Sequence, residues 1–293
     1  MEVLLSQLFT GLSVSAVLLL IALGLTFTFG QMGVINMAHG EFIMVGAYTA
    51  YVLQQVLGAG TAFMVALPLA FLLAGVLGLG LERTLLRPLQ GRPLDTLLAT
   101  WGVSLVLQQL ARDLFGAPNV QVVAPGWLQG GVRVGPVTLP WSRLFITLLV
   151  SLAVVGIAAF VARLPQGRRM RAVMQSRELA AVSGIATDRV DGATFLIGSG
   201  LAGVAGVALT LLGPVGPSLG TFYLVDAFLV VIVGGLGHLG GAVVAALGIG
   251  VLSAFVEFSS QASIAKAIVF AAVVAFLQFR PQGLVALRSR ALT

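Results

Sequence analysis

The sequence contains no cysteine, only two histidines and few charged residues. Without cysteine, disulfides and thiolate metal sites are excluded. The two histidines, His39 and His238, are far apart in sequence and give little support for a metal site. Charged residues make up 9% of the 293 positions, whereas 58% are hydrophobic and the mean hydropathy is +1.06. Because soluble domains are about 25% charged, this composition excludes an ordinary soluble domain and predicts one polytopic membrane unit.

No feature of the sequence supports a site for a nucleotide or for nucleic acid. No G-x-x-x-x-G-K-[ST] pattern occurs, so the chain does not bind ATP through a P-loop of its own. Gly235, Gly237 and Gly240 match the dinucleotide pattern G-x-G-x-x-G, but apolar segments flank them instead of a βαβ unit. The net charge of +6 comes from basic residues in short loops, where they determine membrane topology. We therefore expect no nucleic-acid partner.

The apolar segments predict an all-α fold with eight to ten transmembrane helices, some of them discontinuous or re-entrant. An α-helix rises about 1.5 Å per residue, and the hydrocarbon core is about 30 Å thick. The segment 222–233 is therefore too short to cross alone, and is either re-entrant or continuous with the residues before it. No Lys or Arg precedes Arg83, so the first segment is expected to be retained and not cleaved as a signal peptide. The predicted spans are residues 8–29, 33–57, 61–81, 94–115, 143–162, 192–212, 222–233, 240–255 and 264–279.

The distribution of basic residues predicts the orientation in the membrane. Arginines cluster in residues 82–93, in residues 163–191 and in a C-terminal tail that carries Arg280, Arg288 and Arg290. Because cytoplasmic loops are enriched in Lys and Arg, we place these three regions in the cytoplasm. With nine crossings, the N-terminus is then outside and the C-terminus is cytoplasmic. The basic residues left towards the outside are Arg112, Arg133, Arg143 and Lys266.

Polar residues interrupt the second apolar region, residues 33–57. Asn36, His39 and Glu41 lie where the sequence otherwise predicts lipid-buried helix. Ionisable groups persist at this depth mainly where they face a bundle interior or a polar pathway. Tyr48 follows Glu41 by seven residues and is expected to share its helix face. These side chains are therefore candidates for contact with a transported solute.

Asn36 also predicts a helix that starts inside the membrane, at Met37, because Asn is a favoured N-cap residue. Such a start would direct free N–H groups towards a polar solute, as in the broken helices of transporters. The alternative is helix packing, since Gly33, Gly40 and Ala47 are seven residues apart and allow two helices to approach closely. Both interpretations stay open at this point.

The fourth predicted span carries a second set of polar residues. Thr100, Ser104 and Gln108 follow one another at intervals of four, so their hydroxyl and amide groups line one helix face. Such donors and acceptors, without strong charge, suit a pathway for a small neutral solute. Hydrogen bonding between helices is the alternative.

Charged residues in the last third of the chain have less specific interpretations. Asp226 is either a gate or a helix-capping residue. Glu257 and Lys266 flank a predicted turn and are expected to form a surface ion pair, worth about 0–1 kcal/mol. The predicted pathway residues are Asn36, His39, Glu41, Tyr48, Thr100, Ser104, Gln108 and Asp226.

The cytoplasmic loop 163–191 is longer than a connection needs, and such loops are usually functional. Residues 178–184 predict a short helix that ends at a C-cap glycine. An exposed helix with small residues on one face suits docking into a groove of a partner protein, whereas an inert, solvated loop is the alternative. The predicted docking residues are Arg169, Arg171, Glu178, Ala180, Ala181 and Gly184.

Four stretches resemble a known family. Residues 33–41, GVINMAHGE, are similar to the signature that follows the first span in permease subunits of ATP-binding-cassette importers of the branched-chain amino acid type. Residues 178–184 are similar to the E-A-A-x-x-x-G motif of importer permeases, with Leu179 in the place of the usual Ala. Within this family, residues 91–109 and 279–290 look most like the urea permease subunit.

The resemblance implies that residues 1–293 form a single transmembrane permease domain of the inner membrane, in contact with lipid. It also implies an assembly of two related permease subunits, two ATP-binding subunits and a periplasmic substrate-binding protein. In that assembly the partner subunits bind ATP, so we expect this chain to be no enzyme and to carry no cofactor. The function it predicts is import of a small polar solute, with urea as the first choice and a branched-chain amino acid as the alternative.

Other classes of membrane protein fit the sequence less well. An ATP-independent channel for a neutral solute would need a polar pore but no docking helix. A secondary transporter would need a coupling-ion site, and few intramembrane carboxylates occur beyond Glu41. An intramembrane enzyme would need a nucleophile–base pair or a metal cluster, and neither is evident in the sequence.

Overall fold

A computed structural model describes residues 2–135 and 137–285 of the chain. These residues form eleven α-helices and one short hairpin, in which β1 (Gly131–Val134) pairs antiparallel with β2 (Val137–Pro140). The predicted helical class is confirmed, and the hairpin is a small addition to it. The helices are α1 (Glu2–Met32), α2 (His39–Leu57), α3 (Ala59–Leu81), α4 (Pro93–Phe115), α5 (Trp141–Arg163), α6 (Pro165–Gln175), α7 (Arg177–Val182), α8 (Thr187–Leu209), α9 (Leu219–Gly234), α10 (Leu239–Ser259) and α11 (Ala262–Phe279).

Five of the described helices are long and apolar enough to cross a membrane: α1, α3 with its extension to Leu86, α5, α8 and α10. The helices α9 and α11 are apolar but shorter. The chain is therefore a helical, polytopic membrane protein. The orientation of its termini stays a prediction, and Arg288 and Arg290 lie outside the described residues.

Several predicted boundaries differ from the observed ones. The second predicted span started at residue 33, but Gly33 adopts φ +63° and α2 begins only at His39. The short segment 222–233 is continuous with the residues before it, because α9 begins at Leu219. The loop 163–191 contains two helices, α6 and α7, and not one.

The core lies where α1 and α8 pass through the middle of the bundle. Leu20 and Ile21 of α1 are fully buried. Small residues bring the neighbouring backbones together, since Gly46 of α2 lies against Gly203 of α8 and Gly206 lies against the carbonyl oxygen of Ile43. Close approach through small residues is how membrane helices pack, because apolar burial between helices gains little in lipid.

Gly206→Val is expected to lower the thermal stability of the purified protein. A Cβ atom at this position would overlap the Ile43 carbonyl oxygen, so α2 and α8 have to move apart. Overpacking typically costs about 1–3 kcal/mol, and the measurement is the midpoint of thermal unfolding in detergent. Gly80→Val is the matched control, since nothing lies within 4 Å of a Cβ atom on that α3 residue. Equal losses in the two variants would contradict the packing argument.

The helix α4 lies at the edge of the bundle and has an inverted amphipathic pattern. It buries a polar stripe that includes Thr100, Ser104 and Gln108, whereas Leu98 and Leu114 on other faces are exposed. A helix in lipid can expose apolar residues and bury polar ones without the cost it would have in water. The polar stripe therefore holds α4 against the rest of the protein.

Candidate functional site

The chain between α1 and α2 is not helical, and polar contacts hold it. Asn36 is fully buried, and its Oδ1 accepts a hydrogen bond of 3.0 Å from the Ala38 N–H. The Met37 N–H donates to Thr100 Oγ1 at 3.1 Å. The predicted helix start at Met37 was therefore two residues early, because Asn36 stabilises a turn ahead of α2 and does not cap the helix itself.

Glu41 connects the two polar sets predicted from the sequence. Its side chain is buried, and its Oε1 accepts hydrogen bonds from Ser104 Oγ at 2.8 Å and from Gln108 Nε2 at 2.9 Å. Gln108 Nε2 also lies 3.2 Å from Thr221 Oγ1 of α9. We refer to Asn36, His39, Glu41, Thr100, Ser104, Gln108 and Thr221 as the Glu41 cluster. Thr221 was not predicted, and no local sequence pattern distinguishes it.

Several buried polar atoms of this region have no hydrogen-bond partner among the described residues. They are Asn36 Nδ2, His39 Nδ1, Glu41 Oε2 and Tyr48 Oη. His39 keeps one contact, from its Nε2 to the Ile21 carbonyl oxygen at 3.3 Å. Most buried polar groups in proteins are paired, and an unpaired one costs about 1–3 kcal/mol. Such a concentration of unpaired atoms indicates a potential binding site for a further polar group.

Two helices begin side by side at the Glu41 cluster. Gly40, in the first turn of α2, lies directly against Gly220, in the first turn of α9. A side chain at either position would overlap the other backbone. The start of a helix carries free N–H groups and a partial positive charge, and broken helices that start within the membrane present these groups to substrates in transporters. Glu41 and Thr221 occupy these two first turns.

Tyr48 lies on the same face of α2 as Glu41, as predicted, because both side chains contact α4. The Tyr48 ring stacks on Phe115, with ring centroids 4.2 Å apart, and is separate from the hydrogen bonds around Glu41. Tyr48 therefore lines an apolar part of the α2–α4 contact.

Asp226 lies within α9 and forms an ion pair with Lys266 of α11, at 3.2 Å. The predicted pair between Glu257 and Lys266 is wrong, since Lys266 reaches across to α9 instead. Both charged residues of the observed pair line a cavity with Glu257.

The helix α7 has the local structure predicted for residues 178–184. The Ser176 hydroxyl accepts a hydrogen bond from the Leu179 N–H at its start. Gly184 adopts φ +82° after its end, and the Gly184 and Ile185 N–H groups donate back to the Ala181 and Ala180 carbonyl oxygens. This is the glycine C-cap expected of a Schellman motif.

The exposed face of α7 differs from the predicted one. Ala180 is buried against Met170, Val173 and Val190, so it holds α7 on the neighbouring helices and is not part of an exposed surface. Residues 180 and 181 lie about 100° apart on a helix, which is why the two alanines cannot share one exposed face. The exposed residues of the predicted docking set are Arg169, Arg171, Glu178, Ala181 and Gly184, together with the apolar Leu179 and Val182 that the prediction left out.

A second buried polar cluster lies beside α7 and was missed in the sequence. Asp191, near the start of α8, is fully buried, and Arg177 Nη1 of α7 donates to its Oδ2 at 2.5 Å. Gln31 Nε2, in the last turn of α1, donates to Asp191 Oδ1 at 2.9 Å, and Thr194 donates to Gln31 at 2.5 Å. Gln90 contacts both Arg177 and Asp191. We call this set the Asp191 network.

The Asp191 network joins the loop 163–191 to the non-helical residues 33–38 between α1 and α2. Arg177 is the first residue of α7, and Gln31 is followed within two residues by Gly33, where the chain leaves the helix. The sequence shows Arg177 as a basic residue in a long loop and Asp191 as an acid at the start of an apolar helix. That these two residues pair is visible only in the tertiary structure. The network gives a direct physical connection between α7 and α1.

The chain is similar to known proteins over most of its length. The family described as "Branched-chain amino acid transport system / permease component" matches residues 7–277. The high-affinity branched-chain amino acid transport system permease protein BraD of Pseudomonas aeruginosa is 29% identical over 291 residues, which cover 96% of this chain and 95% of that protein. The permease protein LivH of Escherichia coli is 28% identical over 96% of this chain and 94% of its own length. LivM of Escherichia coli is 27% identical over 80% of this chain and 60% of its own length. No solved structure matches.

Proposed function

We propose that this chain is one permease subunit of an ATP-driven importer for branched-chain amino acids. The chain belongs to the family of branched-chain amino acid transport system permease components. The similarity to BraD and LivH extends over nearly the whole chain, and both names refer to these amino acids. The urea assignment made from residues 91–109 and 279–290 finds no support in these relatives. Branched-chain amino acids therefore replace urea as the proposed substrate.

The proposed assembly contains a second, related permease. The chain is similar both to LivH and, more weakly, to LivM, two permease proteins of Escherichia coli. This supports a pair of unlike but related permease subunits in the inner membrane. Two ATP-binding subunits and a periplasmic substrate-binding protein complete the proposed complex, in keeping with the absence of a P-loop motif from this sequence.

The observation that carries the mechanism is the Asp191 network. In our proposal the exposed Leu179 and Val182 dock on an ATP-binding subunit, and closure of the ATP-binding subunits moves α7. Arg177 passes this movement through Asp191 to the last turn of α1. The segment 33–38 then shifts against α4 and α9, and the Glu41 cluster alternates in its access to the two sides of the membrane.

The proposed function is tested by uptake into proteoliposomes that contain the purified complex and its binding protein. We expect ATP-dependent uptake of labelled leucine, and no ATP-dependent uptake of labelled urea. The ATP-binding subunits should co-purify with this chain, which separates an importer from a channel or a secondary transporter. Uptake of urea but not of leucine would contradict the proposed substrate. Uptake in the absence of ATP would contradict an ATP-driven importer.

A further inference from the structure

A large cavity lies between α1, α9, α10 and α11, next to the Glu41 cluster. Its volume is about 890 Å³, within the range of about 300–1,000 Å³ that is typical of small-molecule sites. Thr221 lines this cavity and also lies within hydrogen-bond distance of Gln108, which donates to Glu41. The cavity therefore adjoins the proposed transport path at the first turn of α9.

Aliphatic side chains from four helices line much of this cavity. They belong to Leu18 of α1, Leu229 of α9, Ile249 of α10 and Val269 of α11. Ligand sites commonly combine such apolar walls with a few polar groups that orient the ligand. An aliphatic side chain placed against these walls would be removed from water, which is favourable.

Three charged side chains line the same cavity. Lys266 Nζ lies 3.2 Å from Asp226 Oδ2, whereas Glu257 forms no ion pair within residues 2–135 and 137–285. The cavity thus presents one ammonium and two carboxylates, and the Glu257 carboxylate has no ion-pair partner among the described residues. This charge set complements a zwitterion, whose carboxylate needs a cation and whose ammonium needs an anion.

We propose that this cavity binds an aliphatic amino acid as a zwitterion during import. Lys266 holds the substrate carboxylate, Glu257 holds the ammonium, and the aliphatic walls receive the side chain, while Asp226 orients Lys266. The inference rests on the proposed function, because it assigns a site to an importer of branched-chain amino acids. A small neutral amide such as urea would use neither the charges nor the apolar walls.

The test is uptake of labelled leucine by the complete importer, at a concentration below saturation. Lys266→Gln and Glu257→Gln are each expected to reduce the initial rate by about tenfold or more, since each removes one charge-assisted contact. Arg143→Gln and Asp113→Asn are matched controls, because these charged residues do not line the cavity. Co-purification of the partner subunits checks assembly, and rates in both variants within twofold of wild type would overturn the inference.

A double variant distinguishes a substrate contact from a structural ion pair. If the Asp226–Lys266 pair only stabilises the fold, Asp226→Asn combined with Lys266→Gln leaves no unpaired charge and should recover uptake. If Lys266 binds the substrate, the double variant should remain as impaired as Lys266→Gln alone. Recovery would overturn the site and leave the importer assignment intact. Absence of leucine uptake by the wild-type complex would instead overturn the proposed function, and this inference with it.

A cavity-filling variant covers the case in which the charge variants do not assemble. Ser253 lines the cavity, and its hydroxyl donates only to the Ile249 carbonyl oxygen of its own helix among the described contacts. Ser253→Leu therefore adds bulk without changing charge, and is expected to lower leucine uptake by about tenfold. Wild-type uptake by this variant, at normal assembly, would overturn the inference independently.

Discussion

Arg177→Gln is expected to uncouple ATP hydrolysis from transport. The substitution removes the charged partner of Asp191, which is fully buried. Loss of one partner from a buried pair typically costs about 3–5 kcal/mol, but the Arg177 side chain is 38% exposed and Gln31 and Gln90 still donate to the carboxylate. We therefore expect a cost of about 2 kcal/mol, enough to loosen α7 from α1 without unfolding the protein.

The measurement for Arg177→Gln is the amount of leucine transported per ATP hydrolysed, in the reconstituted complex. We expect this ratio to fall by about tenfold or more, the equivalent of at least 1.4 kcal/mol of lost coupling. Arg168→Gln is the matched control, since Arg168 is exposed in the same loop, lies outside the predicted docking set and forms no ion pair among the described residues. A wild-type ratio in Arg177→Gln, at normal assembly, would remove the Asp191 network from the mechanism.

A double variant separates the two ways in which Arg177→Gln can act. Combining it with Asp191→Asn removes the unpaired charge but does not restore the charged link between α7 and α8. If the coupling ratio recovers, the single variant failed because a buried carboxylate was left unpaired. If the ratio stays low, the ion pair itself transmits the movement, which is the result we expect.

The helical class and most helix positions were predictable because membrane thickness constrains them. Apolar runs of about 20 residues predict transmembrane helices irrespective of their neighbours, and the helices α3, α4 and α5 follow the predicted segments closely. The polar stripe of α4 was also predictable, since residues at intervals of four share a face. Its partner, Glu41, could be suggested only because an acid is unusual in an apolar segment.

Contacts between distant segments were not predictable from local patterns. Gln31 and Asp191 are 160 residues apart, and nothing in either neighbourhood specifies that the end of α1 lies next to the start of α8. Lys266 was paired with the wrong acid for the same reason, because Glu257 is nearer in sequence but Asp226 is presented to it by α9. The late start of α2 depends on Gly33, whose positive φ is permitted but not demanded by its residue type.

Glu41→Gln is expected to reduce leucine uptake by about tenfold or more while leaving assembly intact. The amide has nearly the size of the carboxylate, and its carbonyl oxygen can still accept the hydrogen bonds from Ser104 and Gln108. The substitution therefore preserves packing and removes the charge. If Glu41 contacts the substrate or its gate, loss of that charge should change transport by at least the energy of one charge-assisted contact.

Ser104→Ala provides the complementary variant for this test. It removes one hydrogen bond to Glu41 Oε1, a change of about 1 kcal/mol, but keeps the carboxylate and its unpaired Oε2. A pathway role predicts that Glu41→Gln impairs uptake more than Ser104→Ala does. A packing role predicts the reverse order, since the serine variant breaks a buried contact and the amide variant does not. Measured initial rates at equal amounts of assembled complex therefore decide between the two interpretations that the sequence left open.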